Sequence, residues 1–311
     1  MDCLNQQLIV STVIFICAFK YQSLYIIILN KIVGSWAEFP NITSGSNVIL
    51  GRLRVQVNCA VLGSLFIALI LQFAVTYTGS VSAWKTLLKY LSFVLPELIQ
   101  FTCVAFYFAM ILMVVALLKN IEEHFRILVY IKRIRGMGND YVGVELGPLP
   151  TSLCQLRGVY ARTLAAKRQV NAAFQAPLLL ILAQSFHALV SNAHALYNEL
   201  NLKNSFNNHD LLESCCWSFY QIMKFYVIGK SGALLKLQRN RIGRALYEIS
   251  TGLNGDIALH LEIQHFTTLM SFHPTEINLF GFFPLESSLV FNALVSSATY
   301  LVILVEFDKT T

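Results

Sequence analysis

Charge is what this sequence lacks. Only 13% of its 311 residues are Asp, Glu, Lys or Arg, against about 25% in an ordinary soluble domain. With 56% apolar residues, including 22 Phe and 13 Tyr, the chain does not have the polar groups to cover a water-soluble surface of this size. A soluble enzyme and a disordered chain are excluded, and a polytopic membrane protein is the class that remains. Metal-type cysteine spacing is missing too. Cys3, Cys17, Cys59, Cys103, Cys215 and Cys216 lie in or beside apolar stretches and Cys154 in a basic loop, so neither a disulfide scaffold nor a metal site is expected. No basic n-region precedes the first apolar window and no small-residue cleavage site follows it, so no signal peptide is evident. Internal repeats are absent, and Pro177 is a mid-span break without a counterpart, unlike the paired breaks of a secondary transporter. No His, Ser or acid constellation suggests an enzyme: no catalytic residue and no cofactor is expected, and nothing points to nucleic acid.

Long uncharged windows are what is there. They run Cys3–Phe19, Val55–Trp84, Leu98–Leu118, Gln169–Asn198 and Ser287–Val305, and a sixth, Ser214–Gly229, is broken by Lys224. A helix needs about 20 apolar residues to cross the hydrocarbon core. This predicts an all-α membrane bundle with six spans near 8–29, 55–77, 95–118, 174–197, 211–229 and 285–307. Open sheets do not survive in lipid, and the alternation of a barrel is absent. Lys20 and Lys224 interrupt apolar runs; each lies toward the predicted cytoplasmic end of its span and is expected to snorkel there. Glu97, following Pro96, reads as an acid favourable to a helix N-terminus.

Lys and Arg set the orientation. Three lie in 30–54, nine in 119–171 and five in 230–284, while the remaining loops and the tail hold only Lys85, Lys89, Lys203 and Lys309. The basic side is expected to be cytoplasmic, which leaves both termini outside and 308–311 as an extracellular tail. The segments 119–171 and 230–284 are expected to form a cytoplasmic helical extension, interrupted by Gly136, Gly138, Gly143, Gly147, Pro148 and Pro150. Their basic residues are topology determinants first and anionic-lipid contacts second. The glycosylation sequon Asn41-Ile42-Thr43 falls on the side predicted to be inside, so it should stay bare.

The last span reads Thr299-Tyr300, five apolar residues, then Glu306-Phe307. It resembles the C-terminal signature of insect gustatory receptors, Thr-Tyr followed by five apolar residues and Gln-Phe, with Glu306 where the family has Gln. Gly281-Phe282-Phe283-Pro284-Leu285-Glu286 followed by Leu289 resembles that family's approach to the final helix. Looser matches at Glu262–Phe266, Asn171, Phe174, Leu178 and Tyr197 extend the likeness over roughly the C-terminal 140 residues. The resemblance implies a tetrameric, ligand-gated, non-selective cation channel in the plasma membrane of sensory neurons, opened by a small-molecule tastant, with bitter plant compounds the commonest class. Homomeric or heteromeric assembly with other gustatory receptors is implied as well. An odorant or pheromone receptor subunit of the same superfamily is the alternative. Family members have seven spans and an inward N-terminus, so a first span upstream of Met1 is expected. A G-protein-coupled receptor does not fit an outward C-terminus, and the chain lacks both a basic Arg motif closing its third helix and an Asn-Pro-x-x-Tyr stretch.

Steps of three and four along the last helix pick out Ser288, Asn292, Ser296, Thr299, Ile303 and Glu306, while Leu289, Phe291, Leu294, Val295, Leu301, Val302 and Leu304 are apolar. In a tetramer such a stripe lines water. Four Ile303 would form a dewetting constriction and four Glu306 a cation-attracting ring. Ser and Thr gluing neighbouring helices would give a similar pattern. If the ligand enters from outside, the outer halves of the spans supply the contacts. Candidates are Phe73 and Tyr77, then Gln100, Phe101 and Tyr107, then Gln184, His187, Ser191 and His194, and lastly Trp217 and Tyr220. The competing readings are interfacial aromatic anchors and, for His187 and His194, core histidines bonded to carbonyls.

Overall fold

The computed structural model describes residues 2–39, 48–59, 90–136, 149–202, 208–251 and 257–310, with isolated helical positions between 62 and 88. Helix α1 (Asp2–Lys20) is followed by α2 (Gln22–Ala37) and a helical run over 48–59. Three long helices come next: α3 (Leu95–Gly136), α4 (Leu149–Leu202) and α5 (Asn208–Ser250). A shorter helix α6 (Ile257–Phe272), a two-stranded hairpin β1 (Asn278–Leu279) and β2 (Phe283–Pro284), and α7 (Ser288–Thr310) complete the fold. The 54 residues of α4 span about 80 Å at 1.5 Å per residue, far more than the ~30 Å of a hydrocarbon core. Helices α3 and α4 are thus long enough to cross a membrane and continue well beyond it.

Three helices among the described residues are long and apolar enough to cross a membrane: Leu95–Tyr130, Ser152–Asn198 and Ser288–Phe307. The stretch read as one span near 8–29 is a bent pair, α1 and α2 meeting at 61°. Most of the second predicted span lies outside the described residues. The fifth falls within α5 but is less apolar than the others, because it carries Lys224. Two prolines behave unlike helix breakers. Pro177 sits inside an uninterrupted α4, and Pro96 follows a π-helical segment, Tyr90–Val94, that runs directly into α3. A proline removes an N–H and crowds the preceding turn. A widened π turn at that point accommodates both losses, so Glu97 lies within a continuous helix and not at its free end.

Cross-helix pairs fix the directions. Gln7 meets Glu97 and Phe39 stacks on His124; Lys224 meets Glu97, Tyr107 meets Ser231 and Gln238 meets Glu122. The α1–α2 pair and α5 thus run alongside α3 in its own direction. Gln100 faces Gln184 and Tyr107 packs on Phe174, so α4 runs the opposite way. At the basic end α6 closes the bundle. Phe266 packs edge-on to Phe125 and against Tyr160, and Arg157 bridges to Glu262.

The segment 230–284 is helical only in part. Pro274, Gly281 and Pro284 end helical structure, and the chain turns through the small hairpin before α7. Phe280 and Gly281 both have positive φ, 49° and 77°. This left-handed turn is what glycine permits at the start of the Gly281–Glu286 motif. The hairpin is tied down on all sides: Lys167 donates to the carbonyls of Pro274 and Glu276, and Asn171 to that of Asn278. Leu285 N–H donates to Ile277. Lys236 bridges to Glu286 at 2.7 Å, a hydrogen bond that raises the lysine's pKa above its ordinary value. Helix α5 approaches so closely here that a Cβ on Gly229 would lie 2.6 Å from the Glu286 carbonyl oxygen, and one on Gly232 would overlap that of Leu285. These two glycines seat the base of α7. Gly232→Ala should lose the monodisperse folded protein on size-exclusion chromatography. Gly243→Ala, whose Cβ would meet only the Met270 methyl at 3.8 Å, should keep it.

Candidate functional site

In a bundle so poor in charge, one ion pair is fully enclosed. Lys224 on α5 and Glu97 on α3 are 2.5 Å apart, with side chains 0% and 2% exposed. Four glutamines from four helices surround them. Gln7, Gln184 and Gln221 direct their amide nitrogens at the Glu97 carboxylate from 3.3–3.4 Å. Gln100 accepts from the Lys224 ammonium at 2.9 Å and donates to Gln184 at 2.5 Å. Tyr220 hydroxyl donates to the Glu97 backbone carbonyl. Its ring stacks on Phe101 at 5.4 Å and takes Trp217 edge-on at 6.2 Å, with the Lys224 ammonium 4.8 Å from the ring centre. The snorkelling expected of Lys224 is therefore wrong, since the side chain turns inward to a carboxylate that the sequence reading treated as a helix-end acid. Lys20 is exposed, with its ammonium 5.4 Å from the centre of the Tyr21 ring. Each buried charge in apolar surroundings demands a partner, and the pair with its amides meets that demand. Two acceptors remain open in this cluster, the amide oxygens of Gln7 and Gln221.

The structure brings together five of the eleven residues expected to meet a ligand: Gln100, Phe101, Gln184, Trp217 and Tyr220. Tyr107 belongs elsewhere. It is fully buried, bonded to Ser231 at 2.9 Å and packed on Phe174, about 10 Å further along α3 than Gln100. His187 and Ser191 are exposed on α4, and His194 is half-buried beside Asn198, so the two histidines are not a core pair. Phe73 and Tyr77 lie outside the described residues. Gln7, Glu97, Gln221 and Lys224 are the cluster members the candidate set omitted. An amide or charge in or beside an apolar run is their signal. Among the described residues no group of His, Cys, Asp and Glu could hold a metal ion.

Helix α7 is the second candidate element. Only 11% of its apolar window is buried, against 61% and 56% for the spans in α3 and α4. It touches its own subunit along a narrow strip: Ala293 and Ser297 are buried, Leu289, Val290, Leu301 and Val305 half-buried. Small residues at this spacing allow close helix approach. At about 100° per residue, Ser288, Asn292, Thr299 and Glu306 fall on the side opposite that strip and Ser296 and Ile303 on its flank; all six are exposed, as are the apolar Phe291, Leu294, Val295 and Val302. Thr299 satisfies its hydroxyl on the Val295 carbonyl of its own helix. Of the terminal motif, Tyr300 reaches α4, edge-on to Phe186 at 5.7 Å, and Phe307 is exposed.

Removing one partner of the buried pair strands the other charge. Lys224→Met or Glu97→Gln alone should each cost about 3–5 kcal/mol, read as a lowered thermal midpoint of the solubilised protein. The double variant should recover most of that loss, and neutral single variants would show that the pair is solvated.

Among solved structures, the chain is similar to the insect olfactory receptor OR5 from Machilis hrabei. The two share 10% sequence identity and a TM-score of 0.70 over 97% of this chain and 79% of that one. Identity this low establishes a common fold and says nothing of ligand. None of the curated proteins matches the chain. The profile of the family described as 7tm Chemosensory receptor matches residues 4–311, and with its apolar bundle the protein is a membrane-spanning member of the 7tm chemosensory receptor family.

Proposed function

We propose that the protein is a gustatory receptor, a tetrameric ligand-gated cation channel opened by a small-molecule tastant of the bitter class. One observation carries the channel reading: the polar stripe of α7 points away from the subunit that holds the helix. Five polar residues turned outward, Asn292 and Glu306 among them, have no use for lipid alone, whereas a water-filled axis shared with three other copies accommodates them. Taste, as distinct from smell, is supported by Thr299-Tyr300 and the Glu306-Phe307 ending, which resemble the gustatory signature. The basic end is placed in the cytoplasm by its seventeen Lys and Arg, so the C-terminus is outside. The receptor is placed in the plasma membrane of sensory neurons.

In this reading the ligand reaches the bundle from outside and meets the aromatic group Phe101, Trp217 and Tyr220, below which lie Gln100 and Gln184. The step from ligand to pore follows helix α5. It carries Lys224 in the polar cluster and, five and eight residues further on, Gly229 and Gly232 under the base of α7. A ligand that competes for Lys224, Tyr220 or the glutamines biases the position of α5, and the glycine seat passes that bias to Leu285 and Glu286. Ile303 is the constriction and Glu306 the ring at the outer mouth.

Whole-cell currents from the expressed receptor, screened against bitter compounds, test the proposal. Ile303→Ala should raise the current seen without tastant. Glu306→Gln should preserve the tastant response while lowering divalent relative to monovalent permeability. Unchanged permeability ratios would remove Glu306 from the filter, and absence of any receptor-dependent current would remove the channel.

A further inference from the structure

The basic end of the bundle holds a cleft of about 350 Å³ between α3 and α5, lined by Glu122, Arg126, Arg241, Arg244, Ala245 and Glu248. Its charges are unequally committed. Glu122, nearly buried, accepts from Arg126 at 2.6 Å on one oxygen and from Gln238 at 2.5 Å on the other. Both oxygens of that carboxylate are engaged, and it holds the Arg126 guanidinium at the wall of the cleft. Arg241 and Arg244 have no hydrogen bond or ion pair among the described residues, and Arg241 is nonetheless half-buried. Glu248, exposed at the rim, is likewise without a side-chain partner.

Two uncommitted guanidinium forks and a third beside them, opening into one cavity, present a donor array for tetrahedral, multiply charged oxygen groups. We infer that this cleft binds a phosphorylated small molecule. The volume exceeds what inorganic phosphate needs and accommodates a phosphorylated ring. The surrounding excess of basic residues at the same end raises the local concentration of such an anion. Glu248 opposes the ligand's charge and weakens its binding. Because α3 and α5 also hold Glu97 and Lys224, an anion bridging Arg126 to Arg241 and Arg244 fastens the same two helices at their other end. The phosphate group has two sources: a lipid headgroup in the adjoining leaflet, or a soluble phosphorylated metabolite.

Binding is measured on the full-length receptor in nanodiscs. In one arm inositol trisphosphate is added to nanodiscs of phosphatidylcholine alone. In the other the nanodiscs carry a few per cent phosphatidylinositol bisphosphate, and the rise in thermal midpoint is read. Arg241→Gln with Arg244→Gln should weaken binding at least about tenfold for each lost fork, and Glu248→Gln should tighten it. Arg168→Gln and Lys230→Gln, exposed basic sites elsewhere on the bundle, should leave it unchanged. Arg241→Lys keeps the charge and loses the fork, so it should weaken binding even if the double variant fails to fold. Saturable binding in the soluble arm assigns a metabolite and binding in the lipid arm alone assigns a headgroup; both support the site. Equal loss in Arg168→Gln and in the cleft variants would show diffuse surface attraction and overturn the proposal, as would no binding of either probe by the wild type.

Discussion

The enclosure of the Lys224 ammonium is the constraint around which the bundle is organised. A charge at that depth cannot reach water, so it needs a carboxylate, and the carboxylate in turn needs donors for its remaining lone pairs. Meeting those needs draws residues from α1, α3, α4 and α5 to one point, through Gln7, Glu97 with Gln100, Gln184, and Lys224 with Gln221. An apolar core packs in many registers at similar cost, whereas a charged pair with four amides is satisfied in few arrangements. The cluster therefore acts as a register pin for helices that are otherwise rows of Leu, Val, Ile and Phe.

What the pin does not hold is α7. The last helix rests on its own subunit by Ala293, Ser297 and a few half-buried neighbours, and its firmest anchorage is at its base, where Leu285 and Glu286 press on Gly229 and Gly232. A helix fastened at one end and lightly held along its length suits an element that moves against its partners. The contrast between a bundle locked by buried polar groups and a loosely attached polar-striped helix is the physical ground for placing the pore at α7 and the sensor in the bundle.

Much of this was legible in the sequence, for reasons that differ from element to element. Membrane helices announce themselves through missing charge, and α3, α4 and α7 stand where uncharged windows fall. The hairpin was half-visible in Gly281 and Pro284, although the segment containing it had been read as helical. The pairing of Glu97 with Lys224 was not legible. The partners are 127 residues apart, and each had an adequate local explanation, a helix-end acid and a snorkelling lysine. Only the tertiary contact shows that both explanations fail. Gln100, Gln184 and Tyr220 stand out as aromatic or hydrogen-bonding groups in the outer halves of spans, yet Tyr107 carries the same signal and belongs to another part of the core. Helical spacing gives a face and a depth, not a neighbour. Gly229 and Gly232 were invisible for a related reason: a glycine in a helix reveals a close approach only once the approaching backbone is known.

The central claim is that the polar face of α7 borders water while the opposite strip does not. Cysteine substitutions at Ser296 and Thr299, compared with Ala293 and Ser297, test it directly when a membrane-impermeant thiol reagent is applied during current recording and the unsubstituted receptor sets the background. Modification should alter current through the Ser296→Cys and Thr299→Cys receptors and leave the Ala293→Cys and Ser297→Cys receptors at background. Equal reactivity on both faces, or reactivity confined to the Ala293 and Ser297 strip, would contradict it.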